Sequence, residues 1–210
     1  MIPPLSITDS NLTSSTVPET DYSAWSSGTT YTIGQRVILT STHKIYESLQ
    51  NGNLNKDPAT DTSDPPFWIE VSATNRWKMF DTSNSTQTAQ ANSIVVVITP
   101  GRVINSVALL GVEGTSVRIK QTDPTDGVVY DKTFNLNNNG NINNWYNYFF
   151  DSISRKTSVI ATDLKAYGSA AIEITITYTG FTAKCGVCVL GSTQLIGEGI
   201  NLGASVGIQD

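Results

Sequence analysis

Hydrophobic and polar residues alternate along much of the chain with the period of two that a β-strand produces. In residues 171–180, Ile172, Ile174 and Ile176 alternate with polar residues. Such a strand buries one face and leaves the other in water. Residues 116–121 follow the same pattern. Both segments therefore predict strands at the surface of a common core.

Turn signals separate these strands. The apolar run Ile94 to Ile98 has strand length and is closed by a Pro-Gly pair, and residues 123–127, Asp-Pro-Thr-Asp-Gly, predict a second turn. Several strands and almost no helical pattern predict an antiparallel β-sandwich of jelly-roll type over residues 73–210. Only residues 154–168 suit a short helix. The Gly-rich end, from Gly191 onward, predicts a sheet edge or a segment that pairs elsewhere.

The first third of the chain has a different pattern. Residues 1–20 are rich in Ser, Thr and Pro without periodicity, and predict an arm or linker that is ordered only against something else. Residues 21–72 contain short strands broken by turns, and predict a small three-stranded β module that needs packing onto a neighbour. The predicted fold class is therefore all-β, with an arm, a small module and a sandwich.

Composition and charge exclude several classes of partner. Charged residues make up 15% of the chain, against about 25% in an average protein. The net charge of -5 comes from scattered Asp and Glu, without a basic stripe for nucleic acid. No apolar run approaches the roughly 20 residues of a membrane span, and the N-terminus does not have the pattern of a signal peptide. We expect neither nucleic-acid binding nor membrane insertion.

Two cysteines, Cys185 and Cys188, form a Cys-x-x-Cys pair. Their strand-like context sends positions three apart to opposite faces, and the only histidine, His43, is far away in sequence. We expect two reduced core cysteines, which suit folding in a reducing cytoplasm. The alternative is a metal site or disulfide shared with another chain. No cofactor or metal is expected for this chain alone.

The sequence contains few combinations of residues that could form a catalytic site. A single histidine excludes most catalytic triads, and the glycines of residues 111–114 and 197–203 do not lie between a strand and a helix, as a phosphate loop requires. Four carboxylates lie in Pro-containing turns, where Asp commonly caps its own backbone; they are Asp61, Asp64, Asp123 and Asp126. We expect no enzyme, although a pair of carboxylates across a cleft, as in a glycosidase, is left open.

The Asn-rich stretch 134–150 carries the candidate binding residues Trp145, Tyr146 and Tyr148. Amides here can hydrogen-bond to sugar hydroxyls while an aromatic ring stacks on a pyranose face. A second interpretation is a long polar loop whose aromatic rings pack on the core and on a neighbour. The three aromatic residues are therefore candidates for contact with a glycan or with a partner protein.

Residues 24–71 resemble the small chitin- and cellulose-associated carbohydrate-binding modules of families five and twelve, which also occur in phage tail proteins. The matching segments are Ala-Trp at 24–25, Tyr-Thr-Ile-Gly-Gln-Arg-Val at 31–37, Lys-Ile-Tyr-Glu-Ser at 44–48, Pro58, and Phe-Trp-Ile-Glu-Val at 67–71. The resemblance implies a small β module with an aromatic spine, which here would consist of Trp25, Tyr31, Tyr46 and Trp68.

One departure from that family changes the expected role of the module. Chitin-binding members usually present a pair of exposed aromatic residues shortly after the position of Tyr46, and this chain has Leu49 and Gln50 there. The main stacking platform is therefore missing. We interpret the aromatic spine as the core of the module, and the module as a part that packs against a neighbouring protein.

The run Thr-Asn-Arg-Trp-Lys-Met-Phe-Asp at 74–81 and the Gly-spaced ending resemble virion proteins of tailed bacteriophages, in which a β-sandwich follows such a module. This resemblance implies a non-enzymatic structural protein, made in the host cytoplasm and placed in the virion as an adaptor or appendage at the distal tail. Other tail proteins would be its partners, and a homo-oligomer is expected. The alternative is a carbohydrate-binding module that recognises bacterial surface polysaccharide during host adsorption.

Overall fold

The computed structural model describes residues 4–83, 85–138, 145–150 and 154–192. These residues form strands of 2 to 15 residues joined by turns, with one α-helix and a single turn of 3-10 helix. In chain order the strands are β1 (Leu12–Ser15), β2 (Thr30–Tyr31), β3 (Arg36–Leu39), β4 (Lys44–Ser48), β5 (Asn53–Leu54), β6 (Trp68–Ala73), β7 (Thr88–Ile98), β8 (Ser106–Leu110), β9 (Ser116–Asp123), β10 (Gly127–Asn135), β11 (Asn137–Asn138), β12 (Ser154–Arg155), β13 (Ser158–Ala161), β14 (Ala171–Cys185) and β15 (Val187–Gly191). The 3-10 turn is Lys78–Phe80, and the helix α1 is Trp145–Phe150.

Eight of these strands build a sandwich of two antiparallel sheets. One sheet has the order β1-β7-β14-β9-β10, and the other has the order β13-β8-β15. The chain crosses repeatedly from one sheet to the other, as in jelly rolls. The predicted all-β fold with an antiparallel sandwich is therefore confirmed.

Aliphatic side chains fill the space between the two sheets. Ile172, Ile174 and Ile176 are fully buried on β14, as their alternation predicts, and they share one core with Val107 and Leu109 of β8. Alternate positions on each strand point inward because the strand period is two. This core is the rigid support for the loops at the ends of the sandwich.

The segment predicted as an arm contributes the first strand of the sandwich. β1 pairs antiparallel with β7, the Leu5 amide donates to the Leu190 carbonyl at 2.7 Å, and the Val17 side chain is fully buried. β1 therefore forms the edge of the five-stranded sheet, whereas Leu5, ahead of it, bonds to β15 at the edge of the three-stranded sheet. The domain boundaries at residues 20 and 72 stay predictions.

The small module contains a three-stranded antiparallel sheet in the order β3-β4-β6, and a two-stranded ladder of β2 and β5. Its sheet is connected to the sandwich through β6, which ends at Ala73. The next residue, Thr74, donates its amide hydrogen to the His43 carbonyl at 2.8 Å. This bond holds the tip of the β3–β4 hairpin beside the chain that enters the sandwich.

The prediction of a short helix in residues 154–168 is wrong. That stretch contains β12 and β13, and in β13 the buried residues Val159 and Ala161 alternate with exposed ones, which is the period of a strand. The α-helix lies earlier, at α1, and no helix among the described residues is long and apolar enough to cross a membrane. The Gly-rich end from residue 193 lies outside the described residues.

Candidate functional site

The helix α1 presents aromatic rings to solvent. Trp145 is 78% exposed, and Tyr146 and Phe149 are also largely exposed. The rings of Trp145 and Phe149, one helical turn apart, lie nearly parallel, with an interplanar angle of 18° and centroids 6.0 Å apart. The side chain of the third predicted residue, Tyr148, lies outside the described residues. Phe149 was not predicted, although its i, i+4 spacing from Trp145 in a helix would have identified it.

This helix lies within a loop whose two ends are paired with each other. Asn137 of β11 is opposite Arg155 of β12, and Asn138 is opposite Ser154. The Asn135 side chain accepts a hydrogen bond from the Asn137 amide at 2.8 Å, so one amide of the Asn-rich stretch supports a turn. The short ladder fixes where the loop leaves the sandwich.

The four aromatic residues of the module lie around its core. Tyr31, Tyr46 and Trp68 are buried, and Trp25 packs against them from a partly exposed position. The Tyr31 and Trp68 rings meet edge to face at 5.2 Å, and the Trp68 indole N–H donates to the Lys56 carbonyl at 2.8 Å. The buried rings of Tyr31 and Trp68, whose polar atoms are paired within the protein, stabilise the module, whereas the Trp25 indole N–H is buried without a partner among the described residues.

Gln50, which stands where the sequence lacks an aromatic pair, has a structural use. The Gln50 side-chain amide donates to the carbonyls of Pro65 and Pro66, each at 2.9 Å. Leu49, beside it, is at the surface. This corner therefore holds the proline-containing loop in place, and it offers one aliphatic side chain rather than an aromatic platform.

A groove of about 370 Å³ lies where the N-terminal segment, the module hairpin and the 3-10 turn meet. The His43 ring lines it and stacks on Trp77 with centroids 4.1 Å apart. His43 Nδ1 lies 3.0 Å from Glu19 Oε1, and Nε2 lies 3.0 Å from Asp9 Oδ2. Both ring nitrogens of His43 therefore lie within hydrogen-bond distance of a carboxylate.

The contacts of His43 give this groove a structural role. The Thr74 hydroxyl also donates to Glu19, at 2.8 Å, and Arg76 Nη1 lies 3.8 Å from the same carboxylate. Because both ring nitrogens of His43 face carboxylates, neither is positioned to take a proton from a nucleophile. We interpret the cluster as the junction that fastens the module to the sandwich.

Two of the four turn carboxylates cap the backbone as predicted. Asp123 Oδ1 accepts from the amides of Thr125 and Asp126 at 2.9 and 3.2 Å. The hydrogen bond from the Ser169 hydroxyl, together with these amides, lowers the pKa of Asp123. Asp61 Oδ1 accepts from the Ser63 amide at 3.1 Å in the same manner.

Both cysteines are free and buried, as predicted. The expectation that they face opposite sides is wrong, because β14 ends at Cys185 and a new strand of the other sheet begins at Val187. Both thiols therefore point into the common core. Burial raises the pKa of Cys185 to about 12 and raises that of Cys188 well above its usual value. Among the described residues, no group of three or more His, Cys, Asp and Glu is placed to hold a metal ion.

Comparison with known proteins finds solved structures that align with this chain only at low TM-scores. No family model matches the chain, and no curated protein matches it. Chitosan-binding module 1 from a chitosanase/glucanase of Paenibacillus sp. IK-5 aligns with 54% of this chain and 81% of its own, at 14% identity and a TM-score of 0.34. A selenomethionine-labelled variant of that module aligns with 55% of this chain and 83% of its own, at 13% identity and a TM-score of 0.36.

A GH29 fucosidase of Ruminococcus gnavus, solved in complex with fucose, aligns with 57% of this chain and 22% of its own, at 12% identity and a TM-score of 0.33. Similarities at this level do not transfer a ligand or a binding residue to this chain. The candidate site therefore rests on the residues of α1 and their geometry.

Proposed function

We propose that this protein is a non-enzymatic recognition and attachment component of a bacteriophage tail, an adaptor or appendage at the distal tail that uses α1 as a binding surface. The observation that carries the proposal is the exposure of Trp145, Tyr146 and Phe149 on one short helix. Large rings clustered at the surface mark an interaction site, since their burial against a partner is favourable.

The placement at a phage tail is supported by the resemblance of residues 74–81 and the Gly-spaced ending to virion proteins. It is also supported by the resemblance of residues 24–71 to carbohydrate-binding modules that occur in phage tail proteins as well. Reduced, buried thiols agree with synthesis in the host cytoplasm. The partners would be other tail proteins, and a homo-oligomer would follow the symmetry of the tail. In such an assembly the sandwich is the rigid body that positions α1.

The non-enzymatic part of the proposal is supported by how the polar groups are used. His43 is engaged by carboxylates on both sides, and Asp123 and Asp61 hold turns together. These groups are the natural candidates for acid-base chemistry. Each of them is committed to a structural hydrogen bond.

A second function, recognition of bacterial surface polysaccharide during host adsorption, is favoured by the near-parallel rings of Trp145 and Phe149. An exposed aromatic face on such a pair suits the flat C–H face of a sugar ring. The Asn-rich stretch next to them supplies amide donors and acceptors for hydroxyl groups. The two functions are compatible, because a tail appendage is a suitable carrier for a glycan-binding surface.

Two measurements test the proposal. Immuno-electron microscopy of purified virions, with an antibody against the sandwich, should label the tail end. Labelled protein should bind host cells, and Trp145→Ala combined with Phe149→Ala should remove most of that binding. Ile160→Ala is the matched control, because Ile160 is also an exposed apolar residue but lies on β13. Absence of label from intact and disrupted virions would overturn the tail assignment, and unchanged cell binding would overturn the role of α1.

A further inference from the structure

A second cluster of aromatic residues lies at the end of the sandwich from which the α1 loop leaves. At this end Ser116 of β9 is opposite Asn135 of β10 on one side and Thr177 of β14 on the other. The β11–β12 ladder, which closes the α1 loop, begins just beyond Asn135. The two ends of the α1 loop and Thr177 of β14 therefore lie at the same end of the sheet.

β14 has a bulge at this position. Tyr178 pairs with Asn92 and Thr182 with Ala91, so three residues of β14 have no partner on β7. Gly180 within the bulge has a φ of 79°, and its amide donates to the Asn92 side chain at 2.9 Å. Bulges re-aim side chains and are common next to functional sites. Here the bulge turns Phe181 outward, so that its side chain is 63% exposed.

The ring of Phe181 forms part of a cluster. It stacks on Tyr178, with centroids 4.8 Å apart and an interplanar angle of 30°. The Arg155 guanidinium carbon lies 4.7 Å from the centroid of the Tyr178 ring, and Arg155 Nη1 donates to the Tyr178 hydroxyl. The cation thus lies against the partly buried Tyr178 ring, which in turn stacks on the exposed Phe181 ring.

Arg155, like the exposed Arg102, forms no ion pair among the described residues, and this separates it from the arginines that do. Arg36 and Arg118 form ion pairs with Glu47 and Asp131. Arg155 is exposed and has no carboxylate within ion-pair distance among the described residues. An oriented guanidinium with unused N–H donors matches the two oxygens of a carboxylate.

We infer that Arg155, Tyr178 and Phe181 form a subsite for a carboxylate-bearing sugar of an acidic polysaccharide. The guanidinium would bind the carboxylate and the Phe181 ring would pack on the sugar. Lys156, the next residue, adds a second exposed positive charge. In a protein of net charge -5, a polyanion is repelled from most of the surface, so a local cationic position directs it to this end.

The position of the subsite relative to α1 allows one polymer to contact both. Ser154, the neighbour of Arg155, is four Cα–Cα steps along the chain from Phe150 at the end of α1, which limits their separation to about 14 Å. The inference rests on the glycan-binding function proposed above. It adds the chemical class of the glycan and the residues that select it.

Binding of the full chain to polygalacturonate, hyaluronate and polysialate tests the inference, with methyl-esterified polygalacturonate as the neutral polymer of matched backbone. We expect wild type to prefer at least one acidic polymer, and Arg155→Gln to weaken that binding about tenfold while leaving the ester unchanged. Phe181→Ala should weaken both kinds of binding. Lys165→Gln, which removes an exposed cation from the opposite end of the sheet, should change neither.

Equal affinity of wild type for the acidic polymers and the ester, or unchanged binding by Arg155→Gln, would overturn the subsite. Failure of wild type to bind any of the three acidic polymers would also overturn it. In each of these cases host-cell binding that still depends on Trp145 would leave the proposed function intact. Loss of the Trp145 dependence would instead remove the proposed function itself, so the two failures are distinguishable.

Discussion

The small module and the sandwich use aromatic residues in opposite ways. In the module Tyr31, Tyr46 and Trp68 form most of the buried core. In the sandwich the core is built mainly from Ile, Val and Leu, and several rings lie outside it, on α1 and at Phe181. The same residue type is therefore a structural element in one region and a surface element in the other.

The size of each region explains the difference. Strands of two to six residues, as in β2 to β6, offer few inward positions, and a small domain must bury much area at each of them. An aromatic side chain buries about 150 to 250 Å², so three rings can replace many aliphatic residues. The long strands β7 and β14 provide many aliphatic positions, and Tyr130 is the one aromatic residue among the buried members of that core in the described part of the chain.

Truncation of a spine residue is the strongest test of this comparison. Trp68→Ala should destabilise the module by about 3 to 5 kcal/mol, because a buried ring and its hydrogen bond to the Lys56 carbonyl are both lost. Hydrogen exchange should show rapid exchange of amides in β3 and β4. Ile69→Ala, which truncates the exposed neighbour, should stay within about 0.5 kcal/mol of wild type.

In the Trp68→Ala variant, the reactivity of the two cysteine thiols measures whether the sandwich stays folded. Burial keeps Cys185 and Cys188 protonated and inaccessible, and only the thiolate reacts with thiol reagents. In Trp68→Ala the thiols should remain protected while the module exchanges. Protected β3 and β4 amides in that variant would show that the aromatic spine is not what holds the module.

A glycine substitution tests the tight packing of the sandwich. A Cβ at Gly114 would lie 2.9 Å from the Thr177 carbonyl and 3.2 Å from Ile176 Cγ2. Gly114→Ala should therefore cost about 1 to 3 kcal/mol in the free energy of unfolding, measured with urea. Gly28→Ala is the control in the module, where a Cβ meets nothing within 4 Å. Equal stability of the two variants would contradict the packing difference.

Low pH should reduce the stability of the sandwich through Asp123 and that of the module through Asp61. Hydrogen bonds from Ser169, Thr125 and Asp126 lower the pKa of Asp123. In Asp61 burial opposes the effect, but the hydrogen bonds of Ser63 and Phe67 still lower the pKa. A lowered folded-state pKa stabilises the protein above the unfolded value of about 3.9, and this contribution is lost as the pH falls through the folded value.

The two carboxylates can be separated by matched variants. Asp123→Asn should reduce stability in the sandwich and Asp61→Asn in the module, each more at pH 7 than at pH 3. Hydrogen exchange in the two regions at both pH values measures this. An Asp123→Asn deficit of equal size at pH 3 and pH 7 would show that the carboxylate charge is not what holds the 123–127 turn.

Local patterns were sufficient to predict the sandwich. The alternation of Ile172, Ile174 and Ile176 decides which face is buried, because a strand has only two faces. The same rule failed for Cys185 and Cys188, since the chain changes sheets at Gly186. At this crossing the Gly186 amide donates a hydrogen bond to the Leu110 carbonyl at 3.0 Å. Because the two residues are far apart in sequence, no local pattern indicates this contact.

The candidate site was predictable only in part. The residue types of Trp145 and Tyr146 indicated a binding surface, but the sequence did not indicate whether they lie on a helix, a loop or a strand. The subsite of Arg155, Tyr178 and Phe181 joins β12 to a bulge of β14. A bulge depends on pairing with a partner strand, so its position becomes visible only in the folded sheet.

The exposed rings should have the smallest effect on stability, and this sets them apart from the module spine. Trp145→Ala should change the free energy of unfolding by about 0.5 kcal/mol or less, because the indole is 78% exposed and little of its area is returned to water by truncation. Urea unfolding of Trp145→Ala beside Trp68→Ala measures both. A loss of more than about 1 kcal/mol in Trp145→Ala would mean that the ring is part of the core. In that case α1 would be another buried aromatic element, and the contrast between the two regions would no longer hold.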